Sequence, residues 1–450
     1  MGVYFFIQPV FEPQTVKNSP ERRPPMPEIL KISGLGPIKN LKIEVKPLTV
    51  LVGPQASGKS LAAQVLYFFR TLQSEFDQRY KRENTEEKGW QGKIIEEILN
   101  ELRGTPFYYY TAKNTSIHYS DASNNIDWQI RCNVNGKVKL NSVLASQMQQ
   151  WADTWNERAS SKGISPFVNN VFIPTERAMI SMFFKNEMGV VYRNYLPLPF
   201  RKFITILDYA ERQYEKRFIG NNFNYHFNDK RDDLFIKLRD FQRNALKGEL
   251  SYKRTGQNKG WEFGTHIIDK EMGNVSKMMP LSAITSGQME TWPFFAAAST
   301  AGVEFSDTSF IFEEPETHLH PAAQRIVVET IAYLVNQNRS FFITTHSPYV
   351  LYTINNLMQT FMSYSAFCQK YPPFRMGEAR CGDHLGAEMP ENHHLLDPKE
   401  VAAYRLTADG KAVSIIDKKT GLMDSDEVDA TANQLGREFD ALLDLEEGRG

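Results

Sequence analysis

The sequence predicts an α/β fold with a mixed sheet at its core, and three stretches carry the prediction. "LTVLVGPQASGKS", Leu48 to Ser60, runs from an apolar strand through a glycine loop toward a helix. "SFIFEEPETHLHP", Ser309 to Pro321, holds an apolar strand ending in Glu313 and Glu314, and "SFFITTHSP", Ser340 to Pro348, holds another ending at His346. Short, continuous apolar runs bounded by turn residues are what strands buried on both faces look like.

Taken in order, the first 27 residues contain six prolines and read as an extended leader. From Glu28 to Gly53, three β-rich runs separated by Gly-Pro and Lys-Pro turns predict an antiparallel ribbon that feeds the buried strand. Apolar residues at helical spacing after Ser60 carry a helix toward Phe76, and the charged residues 77–103 read as helical. Residues 106–140 alternate aromatic or β-branched with polar side chains, which predicts a β meander. A helix around Val143 to Arg158 leads to "NNVFIPTERAM", a short buried strand ending at Pro174. Residues 190–260 read as short helices with polar loops, and "TSGQ", Thr285 to Gln288, opens an apolar helix. A helix from about Ala322 to Asn336 and the His346 strand follow; then come a variable segment to about Lys399, a hairpin and an acidic helix. The expected division is a leader (1–27), a first core part (28–189), a helical, locally basic insertion (190–275), a second core part (276–360) and a C-terminal segment (361–450). No heptad run reaches three turns, so no long coiled coil is expected.

Lys and Arg number 52 against 53 Asp and Glu, so global charge draws the chain to neither nucleic acid nor anionic lipid. Local charge differs: residues 190–260 hold 15 bases against 8 acids, and residues 421–450 hold 9 acids against 2 bases. Three scattered cysteines, Cys132, Cys368 and Cys381, predict no disulfide framework. No apolar run has the length of a membrane span and the leader lacks a signal-peptide pattern, so a cytoplasmic protein without membrane contact is expected.

"GPQASGKS", Gly53 to Ser60, fits the phosphate-loop pattern in its required setting between strand and helix. Its glycines let backbone N–H groups turn inward around phosphate oxygens, and the helix N-terminus adds a favourable dipole. Gly53, Gln55, Ser57, Gly58, Lys59 and Ser60 are therefore the candidate nucleotide contacts, with Lys59 reaching the β- and γ-phosphates and Ser60 a Mg²⁺ ion. Glu313 would share the metal, and Glu314 would orient and deprotonate the attacking water. His346 could touch the γ-phosphate or that water, and Ser286 with Gly287 could offer donors to an anion. His318 and His320 would need a further ligand on the same face to bind zinc, so packing or interface contact is favoured. Cys381, His384, His393 and His394 fit no zinc spacing either.

In this order the motifs resemble the ABC-type ATPase heads of the SMC and RecF group, above all the stand-alone heads of bacterial anti-phage defence operons and of OLD nucleases. The resembling blocks are "LKISGLGPIKNLKIEVKPLTVLVGPQASGKS", "VFIPTERA", "TSGQ", "FEEPETHLHP" and "TTHSPYVL", spread from about residue 28 to 352. The ATPase subunits of PARIS systems, which pair with a TOPRIM nuclease, resemble it most; Septu and retron-associated ATPases are close rivals. The resemblance implies an ABC-type P-loop head with an antiparallel β subdomain and an inserted helical lobe. It also implies ATP and Mg²⁺ as cofactors, and a homodimer or higher homo-oligomer. ATP would lie between Gly53–Ser60 of one copy and Ser286–Gly287 of another, with Glu314 as base, Glu313 on the Mg²⁺ side and His346 as switch histidine. A separate effector, a TOPRIM-type or other nuclease, and a phage protein as trigger are further expectations of that kind. Two departures, Gln55 in place of the group's usual Asn and Glu313 where transporters carry Asp, point to slow turnover. The glutamine of the group's Q-loop is open between Gln91 and Gln129.

The basic stretch is either a solvated helical face or a surface for single-stranded nucleic acid or an acidic protein, with Tyr209, Tyr214, Phe218 and Tyr225 interleaving its charges. Two other functions compete with the defence switch. One is a repair clamp of the RecF type that grips DNA directly, and the other is a scaffold that binds ATP and hardly hydrolyses it.

Overall fold

The computed structural model describes residues 27–80, 90–101, 111–132, 138–154, 169–180, 196–219, 230–255, 258–269, 273–370, 394–424, 434 and 437–441. The strands are β1 (Glu28–Leu35), β2 (Ile38–Val45), β3 (Leu48–Val52), β4 (Thr111–Asp121), β5 (Ile126–Cys132), β6 (Val138–Leu140), β7 (Asn170–Ile173), β8 (Gly248–Thr255), β9 (Asn258–Asp269), β10 (Gly273–Pro280), β11 (Ser309–Glu313), β12 (Ser340–Thr345), β13 (Val401–Leu406) and β14 (Ala412–Ser414). The helices are α1 (Lys59–Arg79), α2 (Trp90–Glu101), α3 (Ser142–Asp153), α4 (Leu198–Ile219), α5 (Lys230–Leu246), α6 (Ser286–Ala298), α7 (Ala301–Glu304), α8 (Pro321–Asn336) and α9 (Pro348–Lys370).

The central sheet runs β14-β13-β3-β12-β11-β7, parallel throughout except for the β13–β14 hairpin. Its inner strands are apolar at nearly every position because both faces are covered, and successive side chains divide between two cores. Val50, Val52, Phe310, Phe312, Phe341 and Ile343 enter the core shared with α4, α5, α6, α8 and α9. Leu51, Ile311, Phe342 and Phe172, the residues between, enter the core shared with α1 and a second sheet. On the first face Phe310 stacks on Phe341 at 4.7 Å and Phe294 on Phe312 at 4.9 Å.

The second sheet is antiparallel in the order β2-β1-β4-β5-β6, so the expected ribbon and meander form one surface. It is fastened to the central sheet by a mostly buried cluster. Arg70 on α1 grips Glu28 of β1 with two bonds of 2.9 and 2.7 Å, Tyr119 of β4 donates to the same carboxylate at 2.8 Å, and Arg70 also reaches the Ser309 hydroxyl at the start of β11.

Three expectations need correction. The stretch 190–260 holds two long helices rather than short ones, because α4 and α5 each turn an apolar stripe, Phe203, Leu207 and Tyr214 or Leu234, Leu238 and Phe241, into the core. A third sheet, β10-β9-β8, occupies 248–280, where short helices with polar loops to 260 and a helical insertion to 275 were expected. The supposed variable segment after His346 begins with the 23-residue helix α9. Of the acidic C-terminal helix only 434 and 437–441 are described, as helix. No helix among the described residues is long and apolar enough to cross a membrane.

Removing Glu28 would strand the Arg70 guanidinium, whose side chain is only 11% exposed, without its counter-charge. Glu28→Ala is expected to lower unfolding stability by about 3–5 kcal/mol in urea titrations; a loss below about 1 kcal/mol would show that the cluster does not hold the two sheets together.

Candidate functional site

Parallel α/β sheets place ligands beyond the carboxyl ends of their strands, and here those ends carry the predicted residues. Strand β3 delivers Gly53, β11 delivers Glu313 and Glu314, β12 delivers His346, and β7 delivers Pro174 and Thr175. The loop after β3 turns through left-handed backbone at Ala56 (φ 59°) and Gly58 (φ 104°) before α1 begins. At Gly58 a Cβ would also lie 2.6 Å from Ile38, so glycine is needed both for the turn and for the packing. Lys59, 6% exposed, folds its Nζ onto the Gly53 and Pro54 carbonyls at 2.9 Å each. Burial draws its pKa down to about 8 against the pull of Glu314, Glu316 and Glu313. The Ser57 hydroxyl is buried without a partner, while Gln55 is exposed.

The two glutamates that follow β11 sit in opposite environments. Glu313 is 3% exposed and lies on one cavity with Ser60 and Thr175, whose donors favour its charged form, yet its Oε1 has no partner. Burial pushes its carboxyl up to about 7. Glu314 leaves strand geometry for a left-handed φ of 43° and places Oε1 3.2 Å from His346 Nε2. That hydrogen bond holds its carboxyl below the usual range in spite of partial burial. A hard divalent cation takes oxygen ligands. Ser60 and Glu313, on one cavity and with one carboxylate oxygen unmatched, suit Mg²⁺.

Sequence reasoning missed two residues that hold this arrangement. Glu316 accepts from the Thr345 hydroxyl at 2.8 Å and from the His346 N–H at 2.7 Å, fixing the histidine backbone. Arg177, 1% exposed, donates to the carbonyls of Pro174 (2.9 Å), Glu290 (2.7 Å), Glu313 (2.8 Å) and Glu314 (2.8 Å) and lies over the Phe312 ring. The signal for Arg177 was its place in the block "VFIPTERA", four residues beyond the end of a buried strand.

Ser286 and Gly287 open α6, where Thr285 and Gln288 form a reciprocal cap. Their neighbours within the chain are the Leu246 carbonyl, held by Gln288, and the His318 turn, whose carbonyl would lie 2.8 Å from a Cβ at Gly287. The phosphate loop makes no hydrogen bond to them among the described residues. His318 adopts φ 57° and faces Glu290 at 3.3 Å, and His320 caps α8 through the Ala322 N–H. Among the described residues no cluster of three or more His, Cys, Asp or Glu side chains could hold a metal. Cys381, His384 and His393 lie outside the described residues; His394 is buried against Phe241.

Neither glutamine considered for the Q-loop reaches the site. Gln129 bonds Ser116 inside the antiparallel sheet and Gln91 begins α2, and neither lines the cavity beside Ser60 and Glu313. In the basic stretch Tyr214 is buried in the core and Tyr209 bonds Glu304, so Tyr214 offers no stacking surface. Several of its bases are paired, Lys202 with Glu75, Arg239 with Glu249 and Arg243 with Asp240. Tyr225 and the Phe218 side chain lie outside the described set.

Residues 294–351 match the family model of the AAA ATPase domain, a segment that contains Glu313, Glu314 and His346 and supports ATP hydrolysis in general terms. Among curated proteins nothing matches. Among solved structures, an SMC head bound to the C-terminal winged-helix domain of ScpA is 15% identical, covering 73% of this chain and 92% of that one at a TM-score of 0.41. An SMC head with an extended coiled coil, bound to the C-terminal domain of ScpA from Pyrococcus furiosus, gives 13% with the same coverages and 0.36. The SMC head from Thermotoga maritima gives 11%, again with those coverages, and 0.33. These values are too low to bear on what this chain does.

Glu313 also yields a pH prediction. Its folded value of about 7 exceeds the ordinary 4.5 regained on unfolding, so ionisation counts against the fold; stability falls as pH rises between those values, and the penalty is complete above them. Without nucleotide, Glu313→Gln is expected to exceed wild type by about 2–3 kcal/mol near pH 8 and to converge with it near pH 4.5 in urea unfolding. A gap that does not change with pH would contradict the assignment.

Proposed function

We propose that the chain is an ATP-hydrolysing switch in which two copies close head to tail around the nucleotide. The observation that carries the reading is the Glu314–His346 pair, 3.2 Å apart at the ends of adjacent parallel strands and within the electrostatic reach of Lys59. In this reading Lys59 exchanges its loop carbonyls for the β- and γ-phosphates, and the turned N–H groups of residues 53–60 cradle the remaining oxygens. Bound Mg²⁺, held by Ser60 and Glu313, would neutralise charge on the phosphates. Glu314, kept ionised by His346, orients the water and takes its proton.

The second half of the pocket is the open question of a single copy. Ser286 is exposed at a helix N-terminus and its side chain pairs with no anion among the described residues, so a neighbouring copy's triphosphate is the partner that its donors fit. Closure around ATP and release after hydrolysis would then be the output. The setting in anti-phage defence, the nuclease effector and the phage trigger rest on the sequence resemblance, the PARIS ATPase subunits first among the relatives. The buried Tyr214 and the paired bases favour this switch over a clamp that grips nucleic acid through residues 190–260.

Phosphate release tests the assignment of Glu314. Glu314→Gln is expected to slow hydrolysis by about 10²–10⁴-fold while ATP binding persists, and Lys59→Ala is expected to abolish binding. Equal rates in wild type and Glu314→Gln would remove Glu314 as the base.

A further inference from the structure

A cavity of about 300 Å³ opens beside the carboxylates. Ser60, Gln64, Thr175, Glu176 and Glu313 line it with oxygens, and Phe172, Met179, Leu196 and Phe200 contribute to the rest. Gln64 follows Ser60 by one helical turn on α1, so the two share a face. It interrupts "LAAQVLYFF", a run in which every residue is buried and the other eight are apolar. The glutamine is 7% exposed and its Oε1 meets no donor.

Glu313 Oε1 is in the same condition on the same cavity. Two buried oxygens left unmatched on one cavity are unfavourable unless something positive, or a donor bound to it, occupies that cavity. Lys59 is not that group, because its Nζ is engaged by the Gly53 and Pro54 carbonyls. We propose that Gln64 supplies a third oxygen to the divalent-cation site of Ser60 and Glu313, directly or through a water on the cation. The inference rests on the nucleotide reading given above and extends it to a residue outside the phosphate-loop motif. A neutral amide at this position adds an oxygen without adding charge, so the site holds its cation less tightly than a second carboxylate would.

The test is titration of Mn²⁺, followed by electron paramagnetic resonance, into the full chain saturated with a non-hydrolysable ATP analogue. Gln64→Leu is expected to weaken Mn²⁺ by about tenfold, and Gln64→Glu to bind it at least as tightly as wild type. Both variants should bind the analogue like wild type in EDTA. An Mn²⁺ affinity for folded Gln64→Leu within about twofold of wild type overturns the proposal. If Gln64→Leu does not fold, Gln64→Glu decides alone, and weaker Mn²⁺ binding than wild type overturns it. Should Lys59→Ala bind the analogue as well as wild type does, the nucleotide reading fails instead, whatever Gln64 does.

Discussion

The geometry at the strand ends depends on one buried guanidinium. Where β7 and β11 stop, the chain leaves ladder pairing, and the carbonyls of Pro174, Glu313 and Glu314 face inward with no strand partner; the Glu290 carbonyl of α6 adds a fourth. Buried carbonyls must be matched. A flat fork of donors on a single side chain can serve four of them at once, and among the amino acids only arginine has it. Burial draws the Arg177 pKa down, and Glu290, Glu316, Glu313 and Glu314 oppose that pull, so the charge is kept by the very carboxylates it positions. With the Glu314 carbonyl fixed in this way, the residue can hold its left-handed backbone, and its carboxylate can meet His346.

From that anchor the site divides its charges by environment. Glu313 and Glu314 are adjacent in sequence and shift in opposite directions from the ordinary carboxylate value: one is sealed in and raised, the other is paired and lowered. Two like residues pushed apart in this way can take two roles, one receiving a cation and one receiving a proton. Arg177 also touches α6, because Glu290 belongs to the helix that opens with Ser286 and Gly287. The strand-end loop and that helix are therefore joined within a copy, by Arg177 and by the His318 turn.

What could be read from the sequence was what is contiguous in it. The phosphate loop, the two glutamates and the strand-end histidine each depend on a few neighbouring residues, and the structure places all of them at the carboxyl ends of the central strands. The ribbon and meander were legible for the same reason, as local alternation. The role of Arg177 was not, although "VFIPTERA" contains it, since its partners at Glu290, Glu313 and Glu314 lie 113 to 137 residues away. Gln64 was hidden inside an apolar helix pattern, where one polar residue reads as noise. The sheet of residues 248–280 was missed because its Lys and Arg residues led the stretch to be read by charge. Leu250 with Tyr252 and Trp261 with Phe263 do alternate toward the core.

The central claim is that two copies complete each other's pocket, and cross-linking between single-cysteine chains measures it most directly. With Cys132, Cys368 and Cys381 replaced, Ala56→Cys in one copy and Ser286→Cys in the other, on a Glu314→Gln background, should join when ATP is present and stay apart without it. The account predicts an ATP-dependent bond between unlike chains. A pair that never joins in ATP, while both chains bind the nucleotide, would contradict it.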